Sequence, residues 1–179
     1  MNFKNLINIP VVGTIIEKEK NGKTYILMQT RRKPWTPYHE TLETPVWRIK
    51  QRENIYQALQ REVKEETNLD ITHINTQRNF TPSLDAGLTN DTTIGYSPRY
   101  CTQQLKDGLP WMMFGFVCKC TWTCKQQEEE TRNPRWVSIE ELEYMMIHGK
   151  IFALQKPFLE YYLTYRKEIT FQKFILDRP

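Results

Sequence analysis

The sequence predicts an α/β domain in which a mixed β-sheet is covered by helices. Strand-like and helical segments interleave along the chain, which is the first observation behind this prediction. The second is Asn21-Gly22, a pair that favours the tight hairpin turns requiring positive φ. The third is a capping box from Ser138 to Glu141, which opens a helix that Gly149 ends. Hairpins combined with helices favour a mixed sheet.

Each element follows from local patterns of residues. The elements are strands at 11–18 and 24–31, a loop at 33–45, a helix at about 54–67, a strand near 70–80, a loop at 81–95, strands at 98–105 and 111–124, the helix opened by Ser138, and a last helix at 157–167. Lys106-Asp107-Gly108 predicts a second hairpin turn, and Pro157 suits the first turn of a helix. Residues 168–179 form an aromatic tail whose packing the sequence does not indicate.

Composition limits the class of protein. A chain of 179 residues predicts one domain spanning residues 1–179, and 39% hydrophobic residues suffice for a buried core. The net charge of +4, with no basic run, does not indicate a nucleic-acid polymer as partner. Apolar runs fall far short of the ~20 residues that span a bilayer. The N-terminal segment lacks the pattern of a signal peptide. We therefore expect neither a membrane protein nor a secreted one.

Four cysteines suggest a reducing compartment rather than a metal site. Cys118, Cys120 and Cys124 alternate with polar residues, so they are interpreted as small apolar residues on the buried face of a strand. No two cysteines, Cys101 included, form a CxxC pair. Reduced thiols are typical of a cytoplasmic protein.

The helix at 54–67 carries carboxylates in line with its apolar stripe. At ~100° per residue, the stripe consists of Ile55, Ala58, Leu59 and Val63. Glu62 and Glu66 fall within it, and Glu65 and Arg61 lie along one edge. The opposite, solvent-facing side is predicted to hold Tyr56, Gln57, Gln60 and Lys64. Burying carboxylates requires a counter-charge, either Arg61 or a bound divalent cation. The alternative is that the stripe leaves the core at Glu62 and the last turn is solvated.

These residues resemble the Nudix box, G-x5-E-x7-R-E-U-x-E-E-x-G-U, where U is a bulky aliphatic residue. The matching positions are Glu53, Arg61, Glu62, Val63, Glu65, Glu66 and Leu69. A hairpin precedes the box, and a strand-to-helix passage beginning at Trp136 follows it, as in that family. The resemblance covers about residues 8–165. It implies a Nudix-type α/β/α sandwich and a metal-assisted pyrophosphohydrolase acting on a nucleoside diphosphate derivative.

The resemblance also implies roles for individual residues. Glu62, Glu65 and Glu66 would hold one or more Mg²⁺ ions, with Mn²⁺ as a substitute. Arg61 would orient a glutamate, and Glu53 would support the junction between loop and helix. Glu130 would supply a further metal-binding or basic carboxylate, a role for which Glu128 and Glu129 compete. The chemistry is consistent, because Mg²⁺ polarises phosphoryl oxygens and a nearby glutamate can accept the proton of the attacking water.

The chain departs from the box at its glycines. Trp47 and Asn68 replace the first and last glycine, and Arg52 replaces the glycine that often precedes the upstream glutamate. Asn68 is compatible with the left-handed backbone that glycine adopts. Trp47 would stack on a base, and Arg52 would pair with Glu53 or contact a phosphate. Either these residues adapt the site to one substrate, or they mark reduced activity.

Two functions therefore stay open. The first is a Mg²⁺-dependent hydrolase of a nucleotide substrate. The second is a catalytically weak Nudix-fold protein that binds a nucleotide or regulates a partner. Exposed-looking Trp35 and Tyr38 would either stack on a nucleobase or serve packing. The oligomeric state is open, and a homodimer is compatible with the sequence.

Overall fold

The computed structural model of the protein describes residues 8–36, 38–75, 83–84, 92–105, 110–121 and 131–176. In these ranges the strands are β1 (Ile9–Lys20), β2 (Lys23–Arg31), β3 (Leu42–Glu43), β4 (Val46–Arg48), β5 (Ile71–Ile74), β6 (Ser83–Leu84), β7 (Thr92–Thr93), β8 (Tyr100–Gln103), β9 (Trp111–Cys120) and β10 (Thr131–Ser138). The helices are α1 (Ile55–Thr67), α2 (Ile139–Ile147) and α3 (Lys156–Leu176). No helix in the described ranges is both long and apolar enough to cross a membrane.

The main sheet is mixed, as predicted. Its central strand order is β10-β2-β1-β9-β5, and β3, β4 and β8 pair with β2, β1 and β9 respectively. The pairing of β1 with β9 is parallel, whereas β1 with β2 and β8 with β9 are antiparallel. The hairpin between β1 and β2 turns at Asn21 and Gly22, which have φ of 52° and 72°. That hairpin prediction is confirmed.

β1 and β2 pair along only part of their length. Their register runs from Glu17 opposite Ile26 to Lys20 opposite Lys23. Before this segment, β1 pairs with β4, and beyond it β2 pairs with β3. The two short strands thus occupy the space where the long ones separate. This separation places residues of β2, β3 and β4 around one opening in the molecule.

Helices cover both faces of the sheet. On one face α1 packs through Ile55, Leu59 and Val63. On the other, α2 and α3 bury Leu142 and Phe158 in the largest apolar cluster. The alternation of β9 sorts its residues between these two cores, because Met113 and Val117 face α2 and α3 whereas Phe116 and Cys118 face α1. The α/β/α sandwich expected for the chain is the observed fold.

Cys118 and Cys120 lie on β9 as reduced, largely apolar side chains, in agreement with the interpretation from the sequence. Cys118 is buried and unoxidised, and burial raises the pKa of its thiol to about 12. Cys120 is also a free thiol and is half-buried, whereas Cys124 lies outside the described residues. Both parities of β9 are buried from Gly115 to Cys118, since each face of this central strand is covered by helices.

Several boundaries differ from prediction. The last helix extends to Leu176 rather than ending at 167, so part of the predicted tail is helical. The predicted loop at 33–45 contains β3, and the strand near 70–80 is Ile71–Ile74 within the described residues. Much of the loop at 81–95 and the turn at Lys106–Gly108 lie outside the described residues. Short strands escape prediction because two or three residues show no periodicity.

One side chain of α1 was assigned to the wrong side. Tyr56 was predicted to face solvent, yet it is buried and its ring meets that of Phe116 edge-on, with centroids 5.8 Å apart. The buried face of α1 is wider than a single stripe, because Tyr56 joins Ile55 and Leu59 in the cluster that packs on Phe116 of β9. Gln57, Gln60 and Lys64 are exposed as predicted.

Candidate functional site

A cavity of about 440 Å³ opens where β1 and β2 separate. Its wall takes residues from β2, β3, β4, β9 and the segment before α3, together with one residue of α1, Glu66. Four of its wall residues are polar or charged yet almost fully buried, namely Gln29, Glu43, Glu66 and Gln155. Buried polar groups that converge on a concave surface are typical of a ligand site.

Three cationic side chains also line the cavity, namely Arg31, Lys33 and Arg48. Arg31 is held in place, because its Nη1 donates to Glu43 at 2.8 Å and its guanidinium lies 4.3 Å from the ring centroid of Phe152. Guanidinium and ammonium groups form strong charge-assisted hydrogen bonds to phosphate oxygens. The indole of half-buried Trp111 adds an aromatic surface. The cavity therefore has the chemistry to bind an anionic, ring-containing ligand.

Helix α1 begins at a well-formed cap. The side chain of Asn54 accepts from the backbone N–H groups of Tyr56 and Gln57, and the Gln57 side chain accepts in return from the backbone of Asn54. The helix ends at Asn68, whose φ of 58° is left-handed, a conformation with which asparagine is compatible. Both ends of the carboxylate-bearing helix are thus set by local hydrogen bonds.

Arg61 gathers carboxylates along one side of α1. Its Nε and Nη2 donate to the two carboxylate oxygens of Glu53, at 2.6 and 2.8 Å. Its Nη1 contacts Glu62 and also Glu65, the latter at 3.2 Å. Glu53 in turn accepts from the backbone N–H of Lys50, which ties the preceding loop to the helix.

The environment shifts the pKa of two of these carboxyls in opposite directions. The hydrogen bond from Arg61 lowers the pKa of Glu53 below its ordinary value. Burial raises the pKa of Glu62, and the neighbouring Arg61 offsets only part of that effect. Glu62 and Glu66 are only 8% and 7% exposed, so the last turn of α1 is not solvated. The alternative in which the stripe leaves the core at Glu62 is wrong.

Glu66 faces the cavity rather than Arg61. The indole Nε1 of Trp47 donates to its Oε1 at 2.5 Å, and the amide of Gln29 donates to its Oε2. Trp47 lies on β4 opposite Val12 of β1 and packs against the cluster containing Ile16, Leu27, Val63 and Leu69. Trp47 also lines the cavity. Its ring therefore bridges the apolar core and the one α1 carboxylate that reaches the cavity.

The donor chemistry of α1 fits a hard divalent cation, because three carboxylates lie within about one helical turn and Glu62 and Glu66 share a face. Within the described part of the chain, however, no three acidic, histidine or cysteine side chains are gathered closely enough to hold a metal ion. Arg61 draws Glu62 and Glu65 to one side, while Trp47 and Gln29 hold Glu66 on the other. The three carboxylates that could ligate a cation are therefore present, but Arg61 holds two of them and Trp47 with Gln29 holds the third.

The remaining predicted site residues lie elsewhere. Trp35 is fully exposed, with a φ of 69°, and is not among the residues lining the cavity. Arg52 is exposed, with a φ of 63°, and it too is absent from the cavity wall. The carboxylate of Glu53 is taken up by Arg61 instead. Tyr38 packs edge-on against Phe152, with centroids 5.1 Å apart. Glu130 lies outside the described residues, so its role stays a prediction.

Several residues that line the cavity were not predicted as site residues from the sequence. Gln29 and Arg31 have the same parity on β2 as buried Leu27, so two polar residues continue an apolar face. That pattern was an available signal of a functional surface. Glu43 and Gln155 offered no such signal, because the short strand and the turn that carry them show no periodicity.

The fold is similar to solved NUDIX structures. A MutT NUDIX hydrolase from Burkholderia pseudomallei aligns with a TM-score of 0.54 at 14% identity, covering 75% of this chain and 86% of that one. The NUDIX domain of Shewanella oneidensis NrtR, complexed with ADP ribose, gives 0.57 at 12% identity, covering 92% and 89%. A C. elegans Ap4A hydrolase gives 0.60 at 18% identity, covering 89% and 98%.

None of the curated proteins compared with the sequence matches it significantly. The likenesses above are of fold, since all three identities are low. The sequence itself, however, matches the NUDIX domain family over residues 8–161. That span holds the capped helix α1, its carboxylates and the cavity that Glu66 reaches. With the sheet, the box and the family match in agreement, this chain belongs to the NUDIX domain family.

Proposed function

We propose that the chain binds a nucleoside diphosphate derivative in the cavity and hydrolyses its diphosphate linkage. The observation that carries this proposal is that Glu66, a carboxylate of the box, lines the same cavity as Arg31, Lys33 and Arg48. A diphosphate needs cationic partners for its oxygens and a carboxylate-bearing helix beside its phosphorus atoms. Among the similar folds, one is an Ap4A hydrolase and another holds ADP ribose, which supports a nucleotide-type ligand.

The cavity residues would divide the work of binding. Arg31, fixed by Glu43 and Phe152, is positioned to hold a phosphate without further ordering of its side chain. Arg48 is more exposed and would contact the charged group that lies nearest the opening. The ring of Trp111 would pack on the base or on the second group of the ligand.

The carboxylates of α1 would supply the cation site. Glu62, Glu65 and Glu66 would hold Mg²⁺, or Mn²⁺ in its place, and the ion would neutralise diphosphate charge and polarise the phosphoryl oxygens. Arg61, anchored by Glu53, would keep Glu62 and Glu65 near the end of the helix that faces the ligand. Gathering all three carboxylates requires Glu66 to give up or share its present donors.

A second function is favoured by one observation, the pair of N–H groups already bound to Glu66. Where the box has glycine, Trp47 supplies one of these donors. If the donors stay in place when the ligand binds, the protein binds a nucleotide without turning it over. It would then act as a sensor or regulator rather than as an enzyme.

A substrate panel with and without Mg²⁺ or Mn²⁺ tests the proposal. The panel contains nucleoside triphosphates, nucleotide sugars, ADP-ribose and dinucleoside polyphosphates, with phosphate and nucleotide release as readout and calorimetry for binding. We expect turnover that requires the cation and is lost in Glu62→Gln. Arg48→Gln should weaken binding several-fold, whereas Lys64→Gln, an exposed cation of α1 away from the cavity, should not. Binding without turnover would favour the second function. If the protein shows neither binding nor turnover with any member of the panel, both proposed functions are contradicted.

A further inference from the structure

Glu66 is bound by N–H donors at the same carboxylate that would ligate a cation. Indole Nε1 donates to Oε1 and the Gln29 amide donates to Oε2, so each oxygen already receives an N–H. Each of these groups places partial positive charge where a cation would approach the oxygen. A carboxylate oxygen has two lone pairs, but a hydrogen bond from a fixed donor lowers its capacity to bind a cation.

Neither donor can turn away freely. Trp47 is half-buried and packs against Ile16, Leu27 and Val63. Gln29 is 2% exposed and sits in the middle of β2. In a packed core, displacing a side chain disturbs its neighbours and therefore costs free energy. Releasing Glu66 thus requires the indole to move within the cluster, or the carboxylate to rotate away from it.

The replacement of the box glycine by Trp47 adds a hydrogen-bond donor beside Glu66. Glycine at this position has no side-chain donor. Of the two donors Trp47 and Gln29, Glu66 would then keep only Gln29. Tryptophan supplies an N–H that is aimed at the carboxylate. Substituting one for the other therefore changes the cation-binding capacity of Glu66 without altering any carboxylate.

We infer that Trp47 is a positioning residue that competes with a divalent cation for Glu66, so that cation binding at Glu66 is coupled to release of the indole N–H. This inference rests on the proposed cation site of α1. It assigns to Trp47 a role in setting cation affinity, in place of the base stacking that its position in the sequence suggested. The hydrogen bond from Trp47 then lowers the cation affinity of Glu66, and the affinity rises when that bond is broken.

The test separates the N–H from the ring. Trp47→Phe keeps an aromatic ring in the cluster but removes the donor. Trp136→Phe is the matched control, because Trp136 packs against the same cluster, whereas the indole that donates to Glu66 is that of Trp47. Glu66→Gln removes the proposed ligand. Mn²⁺ affinity of the 179-residue chain is measured by calorimetry for each variant, after circular dichroism and thermal unfolding have shown that the variant is folded.

We expect Trp47→Phe to bind Mn²⁺ about tenfold more tightly than the wild type, the order of a hydrogen bond to a charged group. Trp136→Phe should bind as the wild type does, and Glu66→Gln should bind more weakly in both the wild-type and the Trp47→Phe background. In addition, Mg²⁺ should shift the ¹⁵N–¹H resonance of one indole, assigned to Trp47 by its loss in Trp47→Phe.

Other outcomes overturn the inference and separate its failure from that of the proposed site. If Trp47→Phe and the wild type bind Mn²⁺ equally while Glu66→Gln binds it weakly, the cation site stands and the competition does not exist. If Glu66→Gln binds as tightly as the wild type, Glu66 is not a ligand. If no variant binds Mn²⁺, the cation site itself is wrong, and the inference falls with it.

Discussion

Arg61 binds both carboxylate oxygens of Glu53 across two turns of α1, with Nε and Nη2 donating at 2.6 and 2.8 Å. The two residues are eight positions apart, and Glu53 lies in the loop before the helix. The same guanidinium contacts Glu62 and Glu65. The Arg61 guanidinium thus ties the loop to the helix and orders two of the three α1 carboxylates.

Glu53→Gln should lower the free energy of unfolding at neutral pH by about 1–2 kcal/mol, because it removes one charge of a two-point, half-buried ion pair. The pKa of Glu53 is lowered in the folded state, so its stabilisation is present above the unfolded pKa and is lost as pH falls through the folded pKa. Urea unfolding at a series of pH values should therefore show the two proteins converging in acid. Glu65→Gln, at a side chain 44% exposed, should cost less. A loss that is equal at all pH values would contradict this account.

Glu62→Gln should have the opposite pH dependence. Burial raises the pKa of Glu62 in the folded state, so ionising it makes folding less favourable as pH rises from the unfolded to the folded pKa. The variant lacks this titration, so its free energy of unfolding relative to the wild type should increase as pH rises through that window. The same urea series measures it, with Glu53→Gln as the contrasting variant. A relative stability that decreases with rising pH would show that the pair with Arg61 outweighs burial.

Gly115→Ala should destabilise the fold by about 2–3 kcal/mol, since overpacking forces neighbouring groups to move. A Cβ at Gly115 would lie 2.4 Å from the ring of Phe158, which joins α3 to the sheet. Gly13→Ala is the matched control, because its closest contact is Sδ of the unbranched, flexible Met113 side chain, at 2.7 Å, rather than an aromatic ring. Thermal and urea unfolding of both variants should show a smaller loss for Gly13→Ala. Equal losses would contradict the proposed role of the Phe158 ring.

Arg52→Gly should raise the free energy of unfolding by about 1 kcal/mol, because it relieves a left-handed backbone that arginine disfavours. Arg52 has a φ of 63° in a turn closed by the Glu53 N–H and the Lys50 carbonyl, 3.2 Å apart. A positive φ at this position of a turn favours glycine, the residue that often precedes the upstream glutamate in the resembling family. Gln51→Gly, one residue earlier, should be neutral or destabilising. A destabilised Arg52→Gly would mean that the arginine side chain makes a contribution larger than the strain.

The sequence by itself determined several elements of this protein and the carboxylates that α1 carries. Local hydrogen bonds and periodicity are enough to place a hairpin at Asn21 and Gly22, a capping box at Ser138 and a carboxylate-bearing helix with an apolar stripe. The left-handed end at Asn68 agrees with the same local reasoning, because asparagine tolerates that backbone conformation. These features depend on residues within a few positions of each other, so they can be inferred before any tertiary contact is known.

Only the tertiary structure decided which partner each carboxylate takes. Glu66 meets Gln29, 37 positions away, and Trp47, 19 positions away, because the separation of β1 and β2 brings β2 and β4 beside α1. Helical spacing could not distinguish a cation from an arginine or an indole as the partner of a buried acid. The cavity likewise depends on short strands with no pattern of their own. Long-range contacts of this kind follow from how strands pair and helices pack, which local sequence leaves undetermined.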